Sequence, residues 1–205
     1  MAHKSKKNEG ADDFELVPQG THIAVCCLVA YVGFHSNEFK GKKKTLPQMV
    51  FMWELVNEKQ KNGQPFKVAA FYTDSLHEKA NMRKMLACWR GRDFTEEEER
   101  GFEINAVLGK PCMVSVIHKQ NAQGDTKARV NAVAKLPKGT TVPAMVSPPL
   151  YYSVEKNDPD SCDILMLPEW IRKKIAEQVP NPESGTTGNE PPPDHTNEGD
   201  EDLPF

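Results

Sequence analysis

The run Thr21–Val32 (THIAVCCLVAYV) constrains this chain most. It is rich in β-branched residues and short of polar positions, so it cannot be a helix with a wet face. The pattern predicts a strand buried on both faces for much of its length, with Gly33 behind it permitting a bend or bulge. A lysine-rich loop is expected at Ser36–Leu46, then a second strand at Gln48–Glu58 (QMVFMWELVNE). Asn62-Gly63 inside Lys61–Gln64 is a hairpin signal, because both residue types tolerate positive φ. Pro65–Thr73 (PFKVAAFYT) is the third strand.

The character then changes. Ser75 and Glu78 have the spacing of a capping box, and Met82, Met85, Leu86 and Trp89 form one helical stripe that Gly91 is placed to end. Thr95 and Glu98 repeat the capping pattern for a short helix ending near Gly101. Lys110–Lys119 and Asp125–Leu136 are two more strands, and residues 137–163 are loose and rich in proline. A closing helix is expected at Pro168–Gln178, with proline in its first turn.

Three strands, a helical segment and two strands is the order of the OB-fold, a small, partly open barrel. The expected class is therefore mainly β: a five-stranded OB-fold barrel with a helical segment between strands 3 and 4. A short C-terminal helix and a disordered acidic tail complete it. A different five-stranded α+β sheet is the alternative. The divisions are a disordered N-terminus (1–13), the barrel (14–140), a Pro-rich extension with the closing helix (141–180) and the tail (181–205).

Composition narrows the function classes. The hydrophobic share is 38%, below the usual value of about 45–50%, and the shortfall is partly local. Residues 181–205 hold only two apolar side chains, Leu203 and Phe205. No apolar run approaches the roughly 18 residues of a membrane span, and Met1–Asp13 is too polar for a secretory signal. Five cysteines without a CxxC pair make neither a disulfide framework nor a zinc ribbon. A soluble, cytoplasmic, reduced protein is expected, with no membrane partner.

The net charge of −3 conceals an asymmetry. The last 25 residues carry seven acids and no Lys or Arg, which leaves +4 on residues 1–180. Residues 21–90 carry eleven Lys/Arg against five acids. A basic body joined to an acidic arm suits a polyanion-binding domain with a separate interaction segment. The plain alternative is that both charge runs are solvated surface.

Catalytic constellations are thin. The six histidines are scattered without HExxH spacing, and neither a GxxxxGK[ST] loop nor a GxSxG elbow is present. Cys26 and Cys27 are adjacent on a strand, so they point to opposite faces and read as structural. Asp158, Asp160 and Asp163 form a carboxylate cluster that suits a solvated loop better than a metal site. No enzyme, metal or cofactor is expected.

A groove for single strands needs cations for phosphates and flat side chains for bases. Lys40, Lys42, Lys43 and Lys44 lie in the first loop, Lys59 and Lys61 in the second, and Lys67 on the third strand. Lys119, Lys127 and Arg129 add a third basic group. The aromatic candidates are Phe51, Trp53, Phe66, Phe71 and Tyr72. Trp53 and Tyr72 are the preferred stackers, since an amphipathic ring tolerates a wet groove. Both faces of these strands are apolar, so a core role stays open for each ring.

The end of the chain is the most specific signal. After a Pro, Gly, Ser, Thr and acid tract come Asp200, Glu201, Asp202, Leu203, Pro204 and Phe205. Its two apolar residues fall in the last three positions, behind three acids. That suits a tethered peptide whose Phe205 fills a pocket while the acids steer the encounter.

This tip closely resembles the Asp-rich, Ile-Pro-Phe-ending tip of bacterial single-stranded DNA-binding proteins, with Leu203 in place of Ile. The body resembles OB-fold single-stranded DNA-binding proteins of tailed bacteriophages. The stretches that carry this second likeness are Tyr72-Thr73, Ser75–Lys79, Cys88–Arg92, Phe94–Glu98, Leu108–Cys112 and Leu167–Ile171. The resemblance implies a non-enzymatic protein that coats single-stranded DNA in phage replication and recombination, inside an infected bacterial host. It implies that the tip recruits host or phage replication and recombination proteins. The helical segment before Leu108 is an insertion relative to the bacterial core, so the bacterial tetramer is not carried over and a homo-oligomer stays open. The rival classes are an OB-fold protein-interaction adaptor and a small metal-dependent nuclease or recombination enzyme using Asp158–Asp163.

Overall fold

The computed structural model describes residues 15–39, 42–121, 123–155, 158 and 160–182. Three antiparallel strands open the chain: β1 (Gly20–Phe39), β2 (Lys42–Lys59) and β3 (Pro65–Thr73). Helices α1 (Asn81–Arg90) and α2 (Glu96–Arg100) and a 3-10 turn at Ile104–Val107 follow. Strands β4 (Pro111–Gln120) and β5 (Thr126–Ala134) form a second hairpin, and β6 (Leu150–Ser153) and α3 (Glu169–Ala176) close the described chain.

The sheet runs β3-β2-β1-β4-β5, all antiparallel, and β6 adds to β1 in parallel. It is therefore mainly β with six strands, where five were expected. Hydrogen bonding does not close it: β3 and β5 lie side by side without pairing. The extra strand is four residues long and sits in the proline-rich stretch that was read as loose chain. Its ladder is Leu28–Tyr31 against Leu150–Ser153.

Both faces of β1 and β2 are covered, which is why their sequences are apolar on both sides. One face holds Cys26, Val29, Met49, Phe51, Trp53 and Leu55, roofed by Met82, Met85, Leu86 and Trp89 of α1. The opposite face holds Cys27, Leu28, Ala30, Val32, Val50 and Met52, covered by Leu167, Ile171 and Ile175. The proline-rich extension and α3 are thus a layer packed on the sheet. Burial pushes the Cys27 thiol up to about 12 and raises the Cys26 and Cys112 thiols as well, so these thiols are inert core groups.

The α1 stripe is buried as expected, and Gly91 ends the helix at φ 73°, donating its N–H to the Ala87 carbonyl at 2.8 Å. The capping box at Thr95 and Glu98 forms. The one expected at Ser75 and Glu78 does not. Ser75 Oγ instead accepts the His77 N–H at 3.2 Å, and α1 starts six residues later behind Ala80 without a side-chain cap. Arg83 donates to the Leu76 carbonyl at 3.0 Å, which ties the preceding turn to the helix from outside it.

Candidate nucleic-acid interface

The expected lysine loop at Ser36–Leu46 is largely strand. Residues 35–39 of β1 pair with 42–46 of β2 and with none of the other named strands, so they leave the sheet as a two-stranded arm. The Ser36 and Thr45 hydroxyls hydrogen-bond across it at 2.6 Å. Lys43 and Lys44 are exposed on this arm, opposite Glu38 and Asn37. Lys40 lies outside the described residues, as does the side chain of Lys42.

At the base of the arm is a groove of about 450 Å³. Between the pairs Tyr31–Met49 and Phe34–Pro47, β1 advances by three residues and β2 by two, a bulge centred on Gly33 at φ 83°. Bulges re-aim side chains and commonly sit beside sites. Both walls are hydrogen-bonded to this floor. The Val154 N–H donates to the Tyr31 carbonyl at 3.2 Å and the Val179 N–H to the Phe34 carbonyl at 2.8 Å. Gln178 closes over Gly33, where a Cβ would stand 2.3 Å from Oε1. Tyr31 and Phe34 are half-buried and Glu155 is exposed on the rim.

Sequence reasoning did not select Tyr31, Phe34 or Glu155. The available signal was Gly33, a bend behind a buried run. Tyr72, which was selected, lies in the same row: Tyr31 pairs with Met49, and Met49 with Tyr72. It is half-buried with its ring edge-on to Phe51 at 5.7 Å.

Trp53 is corrected. It is 0% exposed, stacked near Phe51 at 6.0 Å and edge-on to Trp89 at 6.1 Å, so its ring is core and cannot meet a base. Phe51 and Phe66 are core as well, and Phe71 packs edge-on against Trp170 on the opposite face.

The remaining cations do not gather with Lys43 and Lys44. Lys59 and Lys61 are exposed at the far end of β2, about 50 Å away along a strand rising about 3.3 Å per residue. The β4–β5 hairpin projects at that same end, because Gly20, the first residue of β1, pairs with Val116. There Lys119 stands directly opposite Lys127, and Ile117 opposite Arg129. Neither Lys119 nor Lys127 has an ion-pair partner among the described residues. Lys67 is exposed on β3, opposite Glu54. The basic residues thus form two groups at opposite ends of the sheet, with Lys67 between them.

The arginines of α1 and of the turn that follows it are already engaged. Arg90 and Arg92 both donate to Glu98, the latter at 2.6 and 2.8 Å, and Arg83 meets Asp93 at 3.1 Å and Glu99 at 2.6 Å. The Arg92 hydrogen bonds, then the Thr95 amide, pull the Glu98 carboxyl down to about 2. Arg90 also lies 4.5 Å over the Phe94 ring. This cluster accounts for the residues Cys88–Arg92 and Phe94–Glu98 as a packed ion-pair unit.

Among the described residues no group of three or more His, Cys, Asp or Glu is arranged to hold a metal. Asp158 accepts the Tyr151 hydroxyl at 3.0 Å, Asp160 accepts from Asn105 at 3.2 Å, and Asp163 caps the turn at Leu165. No described helix is long and apolar enough to cross a membrane. The tip Asp200–Phe205 lies outside the described residues. No protein-family model matches this sequence, and no curated protein matches it.

Proposed function

We propose that this protein binds single-stranded DNA without catalysis, along a partly open barrel of the OB type, and recruits partners through its C-terminal tip. The strand order β3-β2-β1-β4-β5, with β3 and β5 side by side across the open seam, supports the OB reading. The observation that carries the binding proposal is the arm: consecutive exposed lysines on a projecting ribbon, rooted at a groove with two half-buried rings. Cations for the backbone beside flat faces for bases is the combination that single strands require.

Phage origin, and a role in replication and recombination, rest on the resemblance of the body stretches and of the tip Asp200–Phe205. The tip proposal has its own test. Phe205→Ala keeps every acid and removes the apolar plug, so purified replication and recombination enzymes of the host should no longer be captured. Capture equal to wild type would make the tip a charge tether only.

For the binding proposal the direct test is competition. A labelled single strand of about 30 nucleotides should be displaced by unlabelled single strand far better than by duplex, with no cleavage in Mg²⁺. Equal competition by duplex, or loss of the strand to cleavage, would contradict the reading. A protein adaptor would bind neither.

A further inference from the structure

We infer that the arm straddles the junction where a single strand meets duplex, with Lys43 on the unpaired tail and Lys44 on the backbone of the strand that stays paired. This rests on the single-stranded DNA reading above and adds a second ligand class, a duplex carrying a single-stranded tail.

The two lysines do not serve one short strand lying on one face. Successive residues of a strand point to opposite faces, and the pairing from Phe34–Pro47 out to Phe39–Lys42 runs without a register shift. The hydrogen bond between the Ser36 and Thr45 hydroxyls at 2.6 Å puts both of them on one face. Lys43, two residues before Thr45, shares that face, and so does Phe34, whose ring lines the groove. His35, Leu46 and Lys44 take the other face.

The faces differ in what they offer. The first joins Lys43 to the half-buried rings of Phe34 and Tyr31 in the groove, the cation and flat surface that an unpaired strand requires. The second is closed to bases. His35 is buried, with Nε2 3.0 Å from the Val32 carbonyl, and it feels the charges of Lys174 in α3 and of Glu177 just beyond it. In the layer on that side the Phe71 ring is already engaged, edge-on to Trp170 at 5.9 Å and with Lys174 Nζ 5.9 Å over it. Lys44 is therefore left to sugar and phosphate, contacts that position a strand without reading its bases. A strand whose bases are paired elsewhere is the ligand that needs nothing more.

An unpaired strand and a paired one lie side by side where a duplex ends in a tail. The arm suits that place in size. From the Phe34–Pro47 pair to the Phe39–Lys42 pair it is about 17 Å long, and a two-stranded ribbon is narrow enough to enter even the major groove of a duplex. A single strand of about 30 nucleotides is long enough to fold round the arm and meet both lysines, whereas a tail of about 5 keeps to the Lys43 face.

The test is an anisotropy titration at low salt of three labelled ligands: a duplex with a tail of about 5 nucleotides, the tail alone and the blunt duplex. Wild type should bind the tailed duplex several-fold tighter than either of its parts. Lys44→Ala should erase the advantage over the tail and leave the affinity for the tail unchanged. Lys43→Ala should weaken tail and tailed duplex alike. Both residues are exposed, so both variants should fold as wild type does. A tailed duplex bound no tighter than its tail, or Lys43→Ala and Lys44→Ala acting alike on both ligands, would overturn the junction proposal and leave the single-strand reading standing. Failure of wild type to bind a single strand of about 30 nucleotides under the same conditions would remove that reading and the junction together.

Discussion

Glu54, 1% exposed on β2, accepts the backbone N–H of Ser147 at 2.9 Å on one carboxylate oxygen, and the Val146 N–H at 2.7 Å on the other. The contact joins residues 93 apart and fastens the proline-rich segment across the sheet. Two backbone amides of this segment are satisfied by one buried side chain. Glu54→Gln keeps the shape and supplies a single acceptor oxygen, so it should cost about 1–3 kcal/mol. Urea unfolding is the measurement, and an unchanged midpoint would count against the clamp.

His35 carries a pH dependence. It is 3% exposed, with Nε2 3.0 Å from the Val32 carbonyl. Burial holds its pKa below the ordinary 6.5, ahead of an opposing backbone hydrogen bond. A depressed pKa means the unfolded chain binds the proton first. The stabilisation is full above 6.5 and is lost as pH falls from there through the folded-state value. Thermal midpoints recorded downward from pH 7.5 should decline earlier in wild type than in His35→Gln.

Trp53 separates core from interface. Trp53→Ala should cost roughly 3–5 kcal/mol, as large core aromatics do. Trp53→Phe should stay folded and keep wild-type affinity for single strands. A tenfold loss of affinity in well-folded Trp53→Phe would return this ring to the interface.

The lysines should divide by position. Lys43→Ala with Lys44→Ala should leave stability within about 0.5 kcal/mol, since both are exposed. On an oligonucleotide of about 4 nucleotides, the short end of the site sizes seen for such folds, it should weaken binding, because such a strand is too short to reach from one end of the sheet to the other. Lys119→Ala with Lys127→Ala removes a like-charge pair standing directly opposite in the ladder, so stability should rise by a few tenths of a kcal/mol. The same change should leave binding of the short strand unaltered.

Much of this was legible in the sequence, for physical reasons. β3 was read at its observed limits, Pro65–Thr73, because Gly63 and the 75–80 turns punctuate it. The α1 stripe was legible because one helical face is buried. The arm was not, since Ser36–Leu46 has no apolar alternation and owes its strand form to pairing alone. β6 was hidden because four residues flanked by prolines take their conformation from β1. With both faces of β2 apolar, the sequence did not say which layer covered Phe51 and Trp53. Glu54 was invisible as a clamp, because its partners are backbone amides more than ninety residues away.

The most direct test of the central claim is the salt dependence of single-strand affinity, measured on an oligonucleotide of about 30 nucleotides. If lysines at both ends of the sheet neutralise phosphates, log affinity should fall against log salt with a slope near −4 for about six contacts. Removing Lys43 and Lys44 together should flatten that slope by about 1.4. Affinity that is independent of salt, or a slope untouched by losing both lysines, would contradict the account.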